Sequence, residues 1–168
     1  VALLHPSAAQ TGAPSSTSVS APRLVLGDWA ALAPDARAVR TAVFLIEQQI
    51  AEEEEWDEWD AKSLHAVAYD AQGTPVGTGR LLPPAFDADR SVGHIGRMAV
   101  LAASRRGGTG GAILQALMRA APAQGFTAIV LHAQKYVANF YARHGFVIEG
   151  AEFLEVGIPH VTMRAALT

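Results

Sequence analysis

The chain predicts a mixed α/β (α+β) fold, a single central sheet of about seven strands with about four helices, and three observations carry that expectation. Short apolar runs closed by Gly, Pro, Asn or Asp alternate with stretches whose apolar residues recur every three or four positions. The 168 residues are half hydrophobic and only 17% charged, which suits one globular domain with a real core. Between His94 and His132 a strand, a glycine loop, a helix and a second strand follow one another, the order of a crossover that sets two strands parallel.

Residues 1–22 are rich in Ser, Ala, Thr, Pro and Gly and read as a flexible extension, leaving residues 23–168 as the domain. Arg23 to Leu26 is the first strand, closed by Gly27-Asp28. A helix follows with Pro34-Asp35 as its expected start and Val39, Ala42, Val43, Ile46 and Ile50 as its apolar stripe. Leu64 to Tyr69 and Val76 to Leu82 form a hairpin through Asp70 to Pro75. Ile95 to Leu101 is a buried strand, and Ile113, Leu114, Leu117, Met118 and Ala121 mark a helix that begins at Gly110 or Gly111 and stops by Pro122 or Gly125. Thr127 to His132 is the next strand. Lys135 to His144 is a short helix ended by Gly145. The last two strands are expected at Phe146 to Ile148 and Ile158 to Arg164, with Gly150 to Gly157 between them.

Composition removes several functions. A net charge of −3 gives no support to a general nucleic-acid binder. The absence of cysteine excludes a disulfide framework, a thiol nucleophile and a thiolate metal site. The histidines are scattered without metal-ligand spacing, and no Gly-x-Ser-x-Gly elbow occurs. No apolar run is long enough for a membrane helix, so a cytoplasmic protein is expected, although a chain that opens on Val1 does not settle targeting by its first residues.

Two stretches carry chemistry. Arg105-Arg106-Gly107-Gly108-Thr109-Gly110-Gly111 stands between a strand and a helix, where glycines let a ligand approach the backbone and the helix start favours an anion. A phosphate cradle and a solvated turn with two surface arginines both explain it. A nucleotide P-loop does not, because Gly110-Gly111-Ala112 replaces Gly-Lys-Ser/Thr. The second stretch, Glu52 to Asp60, holds seven acids and two tryptophans, Trp56 and Trp59. It reads either as a solvated charge run or as a pocket rim that draws in a cationic amine while the rings shape the wall.

Arg105-x-x-Gly108-x-Gly110 resembles the acyl-CoA pyrophosphate loop of the GNAT superfamily of N-acyltransferases, and Ala138-Asn139-Phe140-Tyr141-Ala142-Arg143-His144-Gly145-Phe146 looks like its second signature. Arg40-x-x-Val43-Phe44-x-x-Glu47-Gln48, Asp57-Glu58-x-Asp60 with His65, Ile95 to Val100, Ala133-Gln134 and Gly157-Ile158-Pro159-His160-x-x-Met163 are similar to the ElaA-like branch, over roughly Arg23 to Ala166. Four consecutive glutamates before Trp56 depart from that branch.

The resemblance implies a sheet splayed between its fourth and fifth strands to admit acetyl-CoA. It implies that Met98, Ala99 and Val100 meet the pantetheine arm, that Arg105, Arg106, Gly107, Gly108, Thr109, Gly110 and Gly111 hold the pyrophosphate, and that Asn139 and Tyr141 approach the pantetheine and the sulfur. The activity so implied is acetyl transfer to a primary amine of a small molecule or protein. In that chemistry the Val100 N–H polarises the thioester and Tyr141 is the general acid, or else Tyr141 is a core aromatic beside Phe140. His160 and Glu155 lead the candidate bases. Glu47, Trp56, Trp59, His94, His132 and His160 are the candidate substrate contacts, Glu47 alternatively ordering a loop. A non-catalytic acyl-CoA-binding regulatory module is the competing reading, and exposed apolar strands leave room for a homodimer.

Overall fold

A computed structural model describes residues 20–168, so the expected extension falls outside the described residues up to position 19. Seven strands, β1 (Arg23–Gly27), β2 (Leu64–Tyr69), β3 (Pro75–Leu81), β4 (Val92–Val100), β5 (Ala128–Gln134), β6 (Val147–Glu155) and β7 (Ile158–Ala166), form one sheet in the order β1-β2-β3-β4-β5-β7-β6. The α-helices are α1 (Trp29–Arg40), α2 (Glu52–Glu55), α3 (Thr109–Ala120) and α4 (Ala138–Ala142).

The first helix starts at Trp29, not at Pro34. Asp28 caps it by accepting a hydrogen bond from the Ala31 N–H at 2.9 Å, and Leu32, Ala36 and Val39 then bury one face. Pro34 sits inside and forfeits one backbone bond. Beyond Arg40 the chain continues as a π-helical turn over Thr41–Glu47, in which the Gln48 N–H donates to the carbonyl of Val43. The wider turn rotates the stripe, so Val43 and Phe44 go inward while Ile46, expected on the apolar face, is 70% exposed.

All strand pairs are antiparallel except β4 and β5, which α3 connects. Their pairing covers only Val92–His94 against Ala128–Val130. Both strands run on, to Val100 and Gln134, so the sheet opens from Ile95 onward. β4 also carries a bulge, since Thr78 pairs with Ala99 and Arg80 with Gly96, three steps of β4 against two of β3. Arg97 occupies it with φ +52°, a backbone region that side chains resist. Past the bulge the Leu101 N–H bonds the Val76 carbonyl at 2.8 Å, so by strand alternation the backbone groups of Val100 and Met98 face the opening.

The main core fills the space between α3 and the sheet. Gly77 and Gly79 let the helix lie close: a methyl group on Gly79 would come within 2.5 Å of Met98 Sδ and 3.0 Å of Ile113 Cγ2. β6 is longer than expected. It reaches Glu155 and turns back through Val156 and Gly157 alone, both at positive φ as a two-residue hairpin requires, while Gly150 sits in an irregularity inside the strand. That extension brings Glu155 across to His160.

Candidate active site

The glycine loop lies at the open end of the β4–β5 gap. Gly108, at φ +84°, turns the chain into α3, whose first residue is Thr109, and the N–H groups of that first turn lack intrahelical partners. A groove of about 780 Å³ runs along it, lined among others by Val100, Arg106, Gly108, Gly110, Arg119 and Arg143. Nothing lies within 4 Å of where a Cβ on Gly108 would stand, so the backbone there is open to a ligand. Gly111 instead abuts His144, which Gln115 holds at 3.0 Å.

Arg105 has a different part from the one its charge suggests. Its guanidinium is clamped by both oxygens of Glu47, at 2.6 and 2.5 Å, and its Nε donates to the Val100 carbonyl at 3.0 Å. It therefore struts the loop against β4 and α1's extension, and Glu47 is its anchor. Arg106, Arg119 and Arg143 line the same groove with no acidic partner among the described residues.

Tyr141 is fully buried in the main core, edge-on to Phe140 and Phe146. Its hydroxyl has no hydrogen-bond partner among the described residues, which costs about 1–3 kcal/mol unless a ligand supplies one. Burial pushes the phenol well above its ordinary range, so it stays protonated at neutral pH. Asn139, on the first turn of α4, is exposed and presents its side chain to solvent.

Deeper in the gap, two cavities of about 190 and 270 Å³ meet at Arg97 and Glu155. Glu155 Oε1 lies 3.2 Å from His132 Nδ1 and Oε2 lies 3.4 Å from His160 Nε2. His160 is 1% exposed, its Nδ1–H donates to the Ile158 carbonyl at 2.7 Å, and burial lowers its pKa. The hydrogen bond from His132 holds the Glu155 carboxyl below the usual range. His94 lines the larger cavity and is bonded to Asp87 at 2.6 Å.

Three of the seven acids in this segment, Glu55, Asp57 and Asp60, are neutralised by arginines of the interior. Arg40 binds Glu55 at 2.6 Å and Asp60 at 2.7 Å, Arg80 binds Asp57 at 2.7 Å and Asp60 at 2.8 Å, and Arg97 reaches Glu55 and Asp57 at 3.3 and 3.4 Å. Burial pushes the Glu55 carboxyl up and the arginines pull it down. Only Glu52, Glu53, Glu54 and Glu58 fit the solvated reading. Trp56 stands between Arg37 and Arg40, at 4.6 and 4.7 Å from its ring, and lines neither cavity. Trp59 does line the larger one, edge-on to Phe86 at 5.2 Å.

The fold thus gathers His94, His132, Glu155, His160 and Trp59 at one end of the gap and Arg106 to Gly111 at the other. It sets Glu47 and Trp56 in supporting positions. Ala99, expected among the cofactor contacts, instead pairs with Thr78 and packs on Val39, Val43 and Phe44, so it faces away from the opening. Sequence reading quoted Arg40, Arg97 and Gln134 only as parts of motifs and missed Arg80, giving none of the four a role; Gln134 is 1% exposed and bonded to Gln48 at 3.0 Å. Isolated arginines inside apolar helix and strand runs, set against an acidic run elsewhere, were the available signal for the three arginines.

Residues 32–167 match the family described as acetyltransferase (GNAT) domain. The chain is 41% identical over 130 residues to the uncharacterized N-acetyltransferase YjcF of Bacillus subtilis, covering 77% of this chain and 89% of that one. It superposes on the crystal structure of an acyl-CoA N-acyltransferase from Pseudomonas aeruginosa with a TM-score of 0.75 and 29% identity, over 87% and 100% of the two chains. Escherichia coli ElaA, at 22% identity, shares the fold with the same TM-score over 86% and 99%. The parallel β4–β5 pair that opens beside a glycine loop, together with this match over most of the domain, places the chain in the GNAT family of acetyltransferases.

Proposed function

We propose that the protein is an acetyl-CoA-dependent N-acetyltransferase that passes the acetyl group directly to a primary amine, with Tyr141 as the general acid. The observation that carries this reading is the buried, unpartnered Tyr141 hydroxyl in the core that also holds Met98 and Val100. The Pseudomonas aeruginosa relative is named for acyl-CoA, which supports a CoA thioester as donor.

The thioester supplies an activated acyl group and a thiolate leaving group. The outward-facing backbone of Met98 and Val100 offers an extended amide chain the pairing that a missing strand would give. The first-turn N–H groups of α3, with Arg106, favour a pyrophosphate, and Asn139 stands free to bond the arm. The Val100 N–H polarises the carbonyl as negative charge grows on its oxygen. In the transfer an N–C bond forms, the C–S bond breaks, the amine loses a proton and the sulfur gains one.

Tyr141 meets the sulfur as a protonated donor. Kept protonated by burial, it hands its proton to the departing sulfur as the C–S bond breaks and is reprotonated from solvent. His160, neutral and with Nδ1–H tied to Ile158, which orients the ring, presents Nε2 as the proton acceptor, and the Glu155 carboxylate 3.4 Å away stabilises the imidazolium that forms.

Thiol release from acetyl-CoA over a panel of amines tests the reading. Tyr141→Phe is expected to lower kcat by about 10²-fold with little change in the KM for acetyl-CoA. Unchanged kcat removes Tyr141 from the chemistry. Binding of acetyl-CoA without turnover of any amine would instead mark a regulatory acyl-CoA-binding module.

A further inference from the structure

We infer that the acceptor is a primary amine carrying an aromatic body, with the larger cavity beside Gly96 as the seat of the ring. The inference rests on the acetyltransferase reading and names its substrate class.

Register separates the two cavities along the gap. Extending the pairing of His94 with Val130 sets Gly96 about level with His132, and past the extra residue of the Arg97 bulge Met98 lies about level with Ala133 and Gln134. The smaller cavity, lined by Gln134 and His160, therefore lies at the level of Met98, where the acyl group would be held. The larger one, lined by Ile95, Gly96, Leu131 and His132, lies deeper, toward the closed end of the gap. An amine nitrogen at the junction, beside Glu155, extends its body into that deeper cavity.

The lining of the deeper cavity selects what that body is. Its charged and titratable side chains already have partners: Asp57 with Arg80 and Arg97, His94 with Asp87, and Glu155 with His132 and His160. A second charged group on the acceptor would find no unpaired counterion there and would have to give up its hydration. Apart from the Arg80 Nε, buried without a hydrogen-bond partner among the described residues, the rest of the lining is mainly apolar and flat. Ile95, Leu131 and Leu82 line it, and Trp59 and Phe86 meet edge to face at 5.2 Å. Phe86 is 40% exposed and in turn contacts the His94 ring at 5.0 Å, so three aromatic rings stand in sequence along the cavity. Such walls favour an aromatic guest through edge and face contacts beyond simple burial.

Gly96 supplies the space. A Cβ built on it meets nothing within 4 Å, and its φ lies outside the left-handed region, so a side chain is compatible with the backbone and would grow into open volume. Three glycines elsewhere in the sheet, Gly77, Gly79 and Gly93, would each meet a neighbour inside 3.0 Å. Gly96 differs from them in leaving room that no part of the protein fills.

The test is acetylation of 2-phenylethylamine, n-propylamine, spermidine and glutamate by the wild-type protein and by Gly96→Leu. For the wild type, kcat/KM for 2-phenylethylamine should exceed that for n-propylamine by at least about tenfold, with spermidine and glutamate lower still. Gly96→Leu should reduce this aromatic preference by about tenfold while acetyl-CoA still raises its melting temperature. Preference for spermidine or glutamate, or an aromatic preference untouched in a folded Gly96→Leu, would overturn the inference while leaving acetyl transfer standing. No thiol release with any amine would reach further, to the acetyltransferase reading itself.

Discussion

Arg40 gives the sharpest test of what holds the acceptor side together. It is 1% exposed, and its guanidinium bonds Glu55 Oε1 at 2.6 Å, Asp60 Oδ1 at 2.7 Å and the Glu55 carbonyl at 3.1 Å. It also lies over the rings of Trp56 at 4.7 Å and Trp29 at 5.6 Å. In Arg40→Met the stem is replaced but the charge is gone. Asp60 keeps Arg80, while Glu55, 2% exposed, keeps only the more distant Arg97 at 3.3 Å. Removing one member of a buried ion pair costs about 3–5 kcal/mol, because the remaining carboxylate stays desolvated. Against a total stability of about 5–15 kcal/mol this is a large share. With an m-value of about 2 kcal/mol/M the urea midpoint should fall by about 2 M. The double variant Arg40→Met with Glu55→Leu should cost less than the two single changes summed, since both partners are then apolar. A single variant within about 1 kcal/mol of wild type, at unchanged m-value, would refute the picture of a dry, mutually dependent network.

Four further outcomes rest on particular contacts. Gly79→Ala should lose about 1–3 kcal/mol in denaturant unfolding, because its methyl group would press on Met98 and Ile113. Gly96→Ala, with open space in front of it, should fall within about 0.5 kcal/mol of wild type. Gly108→Glu should weaken acetyl-CoA binding at least about tenfold, measured by calorimetry, since it sets a carboxylate at an anion-favouring helix start and a side chain at φ +84°. Unchanged affinity in the folded variant would detach the loop from the cofactor. Finally, His65 is 1% exposed, donates to the Asp60 carbonyl at 2.8 Å and has its pKa lowered by burial. Its folded pKa lies below its unfolded value of about 6.5, so the unfolded chain takes up the proton first and stability falls as pH drops below about 6.5. Burial acts in the same direction on His144 and His160. Urea midpoints that stay level from pH 7.5 to about 5.5 would count against it.

The expected seven strands, the hairpin over Leu64–Leu81 and the parallel crossover all appear, because each rests on local apolar periodicity closed by a turn residue. The glycine loop and the Asn139–Phe146 run were legible for the same reason: both are continuous in sequence. Where the reading slipped, a nonlocal contact outweighed a local signal. Pro34 looked like a helix start, but the Asp28 cap and the burial of Leu32 and Ala36 carry the helix through it. Gly150 looked like a break, but pairing with β7 holds β6 together past it to Glu155.

The acidic run shows the division most clearly. Its seven carboxylates were plain in the sequence, yet composition cannot say whether a carboxylate faces solvent, a ligand or an arginine far along the chain. Folding pairs three of them with Arg40, Arg80 and Arg97, which stand on α1, β3 and β4. It likewise joins Glu155 to His132 and His160, and ties Arg105 to Glu47 across 58 residues. By itself the sequence determined the elements, their order and the family. Tertiary structure alone decided which charges are spent on one another and which surface is left for a substrate, because electrostatic pairing and burial depend on distance in space rather than on spacing along the chain.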